Sequence, residues 1–155
     1  MEIKDKELHR ITSTCIIKKD GKYLILKRSL EKKAFPGKWT VPGGGLETDD
    51  YINLPPDKEG QWYKAIEKSL IREVKEETNL EVGKLNFLTD IAFIRPDGIP
   101  VVILSYFADY QSGEIKLDDD NVEYAWVSIE EAEKYDLISG ILEEIKMVDK
   151  INKSN

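Results

Sequence analysis

Three scarcities narrow the chemistry open to this chain before any motif is considered. Cys15 is the only cysteine in 155 residues, so no intrachain disulfide and no thiolate metal cluster can form. Cys15 sits in the strand-like run Ser13-Thr14-Cys15-Ile16-Ile17, where a free cysteine acts as a small core residue. His9 is the only histidine, which argues against a zinc site built from His and Cys and against a Ser-His-Asp triad. No apolar run approaches the roughly 20 residues that a membrane-spanning helix needs. The charged start, Met1-Glu2-Ile3-Lys4-Asp5-Lys6, leads into no apolar signal region, so a cytoplasmic location is the expectation.

What is present reads as one folded domain, 1–155, with its core over about 10–150. The composition is 41% apolar and 34% charged. The net charge of −7 disfavours a nucleic-acid polymer as partner. A small phosphorylated ligand would be repelled as well, unless a cation held by carboxylates reverses the sign locally.

The hydrophobic pattern places strands at Ile11 to Ile17 and Tyr23 to Lys27, joined by an Asp20-Gly21 turn. Leu30 to Trp39 reads as loop, Pro42-Gly43-Gly44-Gly45 as a second loop, and Asp49 to Gly60 as an exposed insertion. A helix is expected from Gln61 or Trp62 to Thr78, with Ile66, Leu70 and Val74 as its apolar stripe and Asn79 as its stop. Strands follow at Leu85 to Ile94 and Pro100 to Tyr110 around the turn Arg95-Pro96-Asp97-Gly98, then at Glu123 to Val127. Ser128 and Glu131 have capping-box spacing. A last helix is expected over Ile138 to Lys150, with Asn152 to Asn155 fraying. Strands interleaved with helices predict an α/β fold, a mixed sheet covered by helices.

Two features carry chemistry. Glu73, Glu76 and Glu77 stand at i, i+3 and i+4, which on a helix gathers three carboxylates into one arc. Like charges at that spacing cost roughly 0.2–0.5 kcal/mol each, a cost that a hard, oxygen-seeking cation would offset. A solvated helix face is the plain alternative. Gly43-Gly44-Gly45 lets the backbone approach a ligand closely, although a flexible turn would use the same residues. It is not a Walker loop, because no Gly-Lys-Ser/Thr follows.

Together these features resemble the Nudix hydrolase family, in its MutT-like form, whose box reads G-x5-E-x7-R-E-U-x-E-E-x-G-U. Gly44 matches the opening glycine, and Arg72-Glu73-Val74-Lys75-Glu76-Glu77-Thr78-Asn79-Leu80 matches the end, with Asn79 in place of glycine. Lys38 to Gly44, Tyr23 to Arg28 and Glu123 to Val127 resemble the flanking segments. The spacing departs from the family's. Gly44 and Arg72 lie 72 − 44 = 28 positions apart instead of 14, so about 14 residues, around 49–62, are inserted inside the box. Counting back from Arg72 puts Lys64 where the first box glutamate belongs; counting forward from Gly44 puts Asp50 there.

The resemblance implies a Nudix fold, a mixed β-sheet sandwiched between α-helices. It implies an enzyme that uses Mg²⁺, with Mn²⁺ as a substitute, to hydrolyse a nucleoside diphosphate linked to another moiety. A nucleoside triphosphate giving monophosphate and pyrophosphate leads. An ADP-ribose or other nucleotide-sugar pyrophosphatase is one alternative, hinted at by Pro96 sixteen residues past the box. A non-catalytic nucleotide-binding domain is the other. By the same resemblance, the Gly43 carbonyl with Glu73, Glu76 and Glu77 holds metal, Arg72 orients a glutamate, and Glu123 is a candidate base or extra ligand. Arg28, Gly44, Gly45, Trp39, Asp119 and Asp120 are candidate substrate contacts, with Trp126 a further stacking surface, although Trp39 and Trp126 both more naturally pack in the core. The expected partner is a small nucleotide, with no membrane, and the chain a monomer or homodimer.

Overall fold

The computed structural model describes residues 5–154. A mixed sheet forms the middle layer. Its strands are β1 (Arg10–Lys19), β2 (Lys22–Arg28), β3 (Trp39–Thr40), β4 (Gly43–Gly45), β5 (Glu81–Val82), β6 (Asn86–Ile94), β7 (Pro100–Ser112) and β8 (Asn121–Val127). The path β3-β2-β1-β7-β5 carries β4 on β1, β6 on β7 and β8 on β2. At its centre β1 and β7 run parallel, in register from Arg10↔Val101 to Lys18↔Asp109. The β1–β2 hairpin turns at Asp20 and Gly21, with φ of 52° and 76°. Positive φ at both central residues is what a tight two-residue hairpin requires.

Alternation along β1 and β2 feeds two apolar layers. Cys15, Ile17, Leu24 and Leu26 face α1 (Ala65–Thr78) and pack on Leu70 and Val74. Ile16, Tyr23 and Ile25 face the other way and meet Ile145 and Val148 of α3 (Ile141–Lys153). A short α2 (Ile129–Ala132) begins at Ser128 with the expected reciprocal capping box to Glu131. The layering is that of the α/β sandwich read from the sequence. None of the helices described is long and apolar enough to cross a membrane.

Beyond shifts of a residue or two at strand ends, four features differ from the sequence reading, each for a physical reason. The triple glycine is a strand, not a loop: Gly43, Gly44 and Gly45 pair with Thr14, Ser13 and Thr12. A Cβ on Gly43 would collide with the Ser13 carbonyl oxygen, so glycine here permits close strand approach. Helix α1 starts at Ala65 rather than Gln61, because Lys64 takes a left-handed conformation, φ 57°, that interrupts the spiral. Helix α3 starts at Ile141 behind Gly140, φ 99°, and runs on through Asn152, which accepts from Lys18 at 2.9 Å instead of fraying. The two-residue strand β5, invisible as a periodic run, pairs with the end of β7.

Candidate active site

Helix α1 carries the acidic arc along the edge of its buried stripe: Glu73 and Glu77 are half-buried beside it, and Glu76 is exposed. Leu70 and Val74 are buried; Ile66, one turn earlier, is only half-buried. Asn79 ends the helix at φ 66°, its N–H donating to Lys75 O at 2.8 Å, so the replacement of glycine there is benign.

The arc is docked on β4. The Gly43 N–H donates to Glu77 Oε2 at 2.9 Å. A Cβ on Gly44 would lie 2.5 Å from the Glu73 carboxyl carbon, so the missing side chain is the space Glu73 occupies. Gly45 points to the opposite side, where the Arg10 guanidinium fills the corresponding space. Nothing in the motif analysis singled out Arg10.

Arg72 organises the rest. Its Nη1 donates to both oxygens of Glu76 at 2.9 Å, and its Nη2 to Glu73 Oε1 at 3.1 Å and to Asp50 Oδ1 at 2.5 Å. Asp50 also accepts from the Glu47 N–H at 2.8 Å and from Ser69 Oγ at 3.1 Å through Oδ2. Its side chain is only 7% exposed. Asp50 thus belongs to the packed site, and the fully exposed part of the expected insertion shrinks to 52–61. Lys64 makes no bond to Arg72, so of the two positions counted from the motif ends only Asp50 reaches it.

The electrostatics separate these acids. Burial raises the Asp50 carboxyl, but the Glu47 N–H, Ser69 and the Arg72 guanidinium outweigh it, and the net shift is downward. Burial raises Glu73, partly opposed by Arg72. Glu77 is pushed up to about 8, first by burial, with the Gly43 N–H opposing and Glu73, Asp118 and Asp120 adding like-charge pressure. The charge of Asp118, which was not among the expected residues, thus bears on Glu77.

The carboxylates are not pre-assembled as a cage. Among the described residues no three His, Cys, Asp or Glu side chains converge as a metal-binding group. Two glutamates turn to Arg72 and one to Gly43. Yet the donor set suits a hard divalent cation. It is all oxygen, and Glu73 Oε2 and Glu77 Oε1 accept no hydrogen bond from the described residues.

The outer candidates divide. Asp120 pairs with Lys32 at 3.1 Å and bears on Glu77; Asp119 is exposed beside it. Glu123 is exposed on β8 opposite Lys27, with no bond to the glutamate arc. Arg28 Nε is spent on Ala34 O at 3.0 Å, bracing the loop that follows β2. Trp39 packs edge-on to Tyr135, centroids 4.9 Å apart, in the core layer on the α3 side. That places it on the opposite face of the sheet from α1, in keeping with core packing. Trp126 packs into the α1-side layer against Tyr110.

Comparison with known proteins agrees with this architecture. Residues 7–146 match the model of the NUDIX domain. A nucleoside triphosphatase, NudI, of Escherichia coli O17:K52:H18 is 30% identical over 132 residues, covering 79% of this chain and 84% of that one. The crystal structure of a MutT protein from Methanosarcina mazei Go1 superposes with a TM-score of 0.71 at 25% identity, covering 94% of this chain and 96% of that one. The NUDIX domain of Shewanella oneidensis NrtR, solved with ADP ribose, shares the fold at a TM-score of 0.73 and 16% identity, covering 97% of this chain and 94% of that one.

Proposed function

The chain belongs to the Nudix family and is a pyrophosphohydrolase of the Nudix type; from that premise we propose that it is a single-domain enzyme cleaving a nucleoside triphosphate to monophosphate and pyrophosphate. The observation that carries this reading is the docking of Glu73 and Glu77 against Gly43 and Gly44, with Arg72 locked beside them. The choice of a triphosphate is supported by the likeness to the Escherichia coli nucleoside triphosphatase.

In this reading Glu73, Glu76, Glu77 and the Gly43 carbonyl hold Mg²⁺, with Mn²⁺ as a substitute. When bound, the cation supplies neutralisation of phosphate charge and acidification of water. The chain's own residues do the placing. Arg72 holds Glu73 and Glu76 in one plane of approach while its own charge is matched by Asp50. Gly44, bare of a side chain, lets the Glu73 carboxylate lie against the backbone of β4, and Gly45 leaves the corresponding space to Arg10. Water adds across one P–O–P link, so that one phosphorus gains the oxygen and the other fragment leaves with the bridging oxygen. The charges of Asp118 and Asp120 bear on Glu77, which favours them over Glu123 or Asp119 for an outer carboxylate role.

Asp50 takes the place of the first box glutamate, and the inserted residues are those between it and Ala65. The shorter side chain reaches Arg72 because the turn at Thr48–Asp50, closed by the Asp50–Glu47 bond, brings it inward.

Product analysis tests the reaction. With Mg²⁺ and a panel of nucleoside triphosphates, chromatography should show monophosphate and pyrophosphate in equal amounts. Orthophosphate as the first product, or turnover confined to nucleotide sugars, overturns the assignment.

A further inference from the structure

The inserted segment carries aromatic rings to the start of α1. Tyr51 and Trp62 sit with ring centroids 5.4 Å apart at 51°. Trp62 is held in place: its Nε1 donates to Leu54 O at 2.8 Å, and the neighbouring Tyr63 N–H donates to Asp57 at 3.0 Å. With Leu46, Ile66, Glu67 and Tyr106, the two rings line an open cleft of about 620 Å³, with Lys64 at its rim. The Glu67 side chain is half-buried there and has no hydrogen bond or ion pair to the other described residues. Ile66 and Glu73 stand seven residues apart on one face of α1, roughly 10 Å along its axis. Leu46, in the same lining, directly follows the last glycine of β4. The cleft and the glutamate arc therefore lie about two helical turns apart along α1. Their separation suits a nucleoside whose phosphates reach Glu73.

We propose that this cleft is the nucleobase subsite, in which the base stacks on Trp62 and Tyr51 and Glu67 accepts a hydrogen bond from an exocyclic amino group. The proposal rests on the pyrophosphohydrolase reading above and adds a specificity to it. Aromatic faces favour any base, whereas an acceptor-only carboxylate favours cytosine, adenine or guanine over uracil and thymine. The residues responsible lie in or beside a segment foreign to the family's box spacing. The selectivity is therefore a property of this chain.

Steady-state kinetics on the full chain test it. Trp62→Ala should raise KM roughly ten-fold, more than it lowers kcat, and Trp62→Phe should restore most of the loss. Glu67→Gln should reduce the preference for cytidine over uridine triphosphate by about ten-fold. Unchanged KM in Trp62→Ala together with unchanged discrimination in Glu67→Gln overturns the subsite. Thermal melting of each variant identifies a folding failure, and Trp62→Phe, which keeps a ring in place, still reports if Trp62→Ala unfolds. If the wild type hydrolyses no nucleotide, the functional reading fails, and the cleft is judged by tryptophan fluorescence. Quenching by cytidine or adenosine that disappears in Trp62→Phe upholds it, and no quenching overturns it.

Discussion

Replacing Asp50 by alanine probes the link between the turn at Thr48–Asp50 and the acidic helix. The carboxylate is 7% exposed and accepts from three donors, whereas the Arg72 side chain is 40% exposed and retains Glu73 and Glu76. Removing one member of a fully buried ion pair costs about 3–5 kcal/mol. The open side of Arg72 brings its share down to about 1 kcal/mol. The bonds from the Glu47 N–H and Ser69 Oγ go to a charged acceptor, and losing them adds about 2 kcal/mol, since Ser69 is buried and left unpaired. The sum is about 3 kcal/mol, which for a chain of this size lowers Tm by about 6–12 °C. The sign with pH follows from the lowered carboxyl: its contribution is full above the ordinary value of 3.8 and fades as pH falls through the lower folded value. The melting difference between wild type and Asp50→Ala should therefore narrow in strong acid. Turnover should fall about ten-fold as Arg72 loosens its hold on Glu73. A variant that melts within a degree of wild type and keeps its kcat refutes the coupling.

The two glycines of β4 should behave differently. Gly43→Ala meets the Ser13 carbonyl and the Thr14 backbone, which cannot give, and should lower stability clearly in a denaturant titration. Gly44→Ala meets only the mobile end of Glu73, so it should melt near wild type yet lose most of its activity. The Cys15 thiol, pushed up to about 12 by burial, should ignore a disulfide reagent at mildly alkaline pH and react fully once guanidinium unfolds the chain. Glu77 gives a pH signature without metal. Its folded value near 8 lies above the ordinary 4.5, so the stability it contributes is full below 4.5 and is lost as pH rises toward 8. In EDTA, Glu77→Gln should remove that part of the decline, and Mg²⁺ should reverse it in the wild type by favouring the deprotonated form.

The sequence was most readable where one local rule acted alone. Asp20-Gly21 and Arg95 to Gly98 turn where their residue types demand, and Asn79 stops α1 in the left-handed conformation expected of it. Periodicity located β1, β2, β6, β7 and the stripe of α1. Failures came where a tertiary contact decides. Three glycines in a row carry no strand propensity, and only the proximity of β1 makes them a strand. The start of α1 depends on the conformation of Lys64, which no pattern encodes. In the site, spacing pointed back to Lys64, which has no carboxylate, and forward to Asp50, and it is Asp50 that bonds Arg72. Asp118 and Arg10 were missed because they enter from strands and loops distant in sequence.

The central claim is that the α1 arc holds the cation that drives hydrolysis, and Glu77→Gln tests it most directly. The substitution keeps the shape of the side chain and an oxygen able to accept from the Gly43 N–H, but removes the charge. Mg²⁺-dependent release of pyrophosphate and Mn²⁺ binding by electron paramagnetic resonance should be measured on the same preparations, with circular dichroism confirming the fold. The account predicts turnover reduced by roughly 100-fold or more and weakened Mn²⁺ binding, with an unchanged spectrum. A folded Glu77→Gln that binds Mn²⁺ and releases pyrophosphate as the wild type does would contradict it.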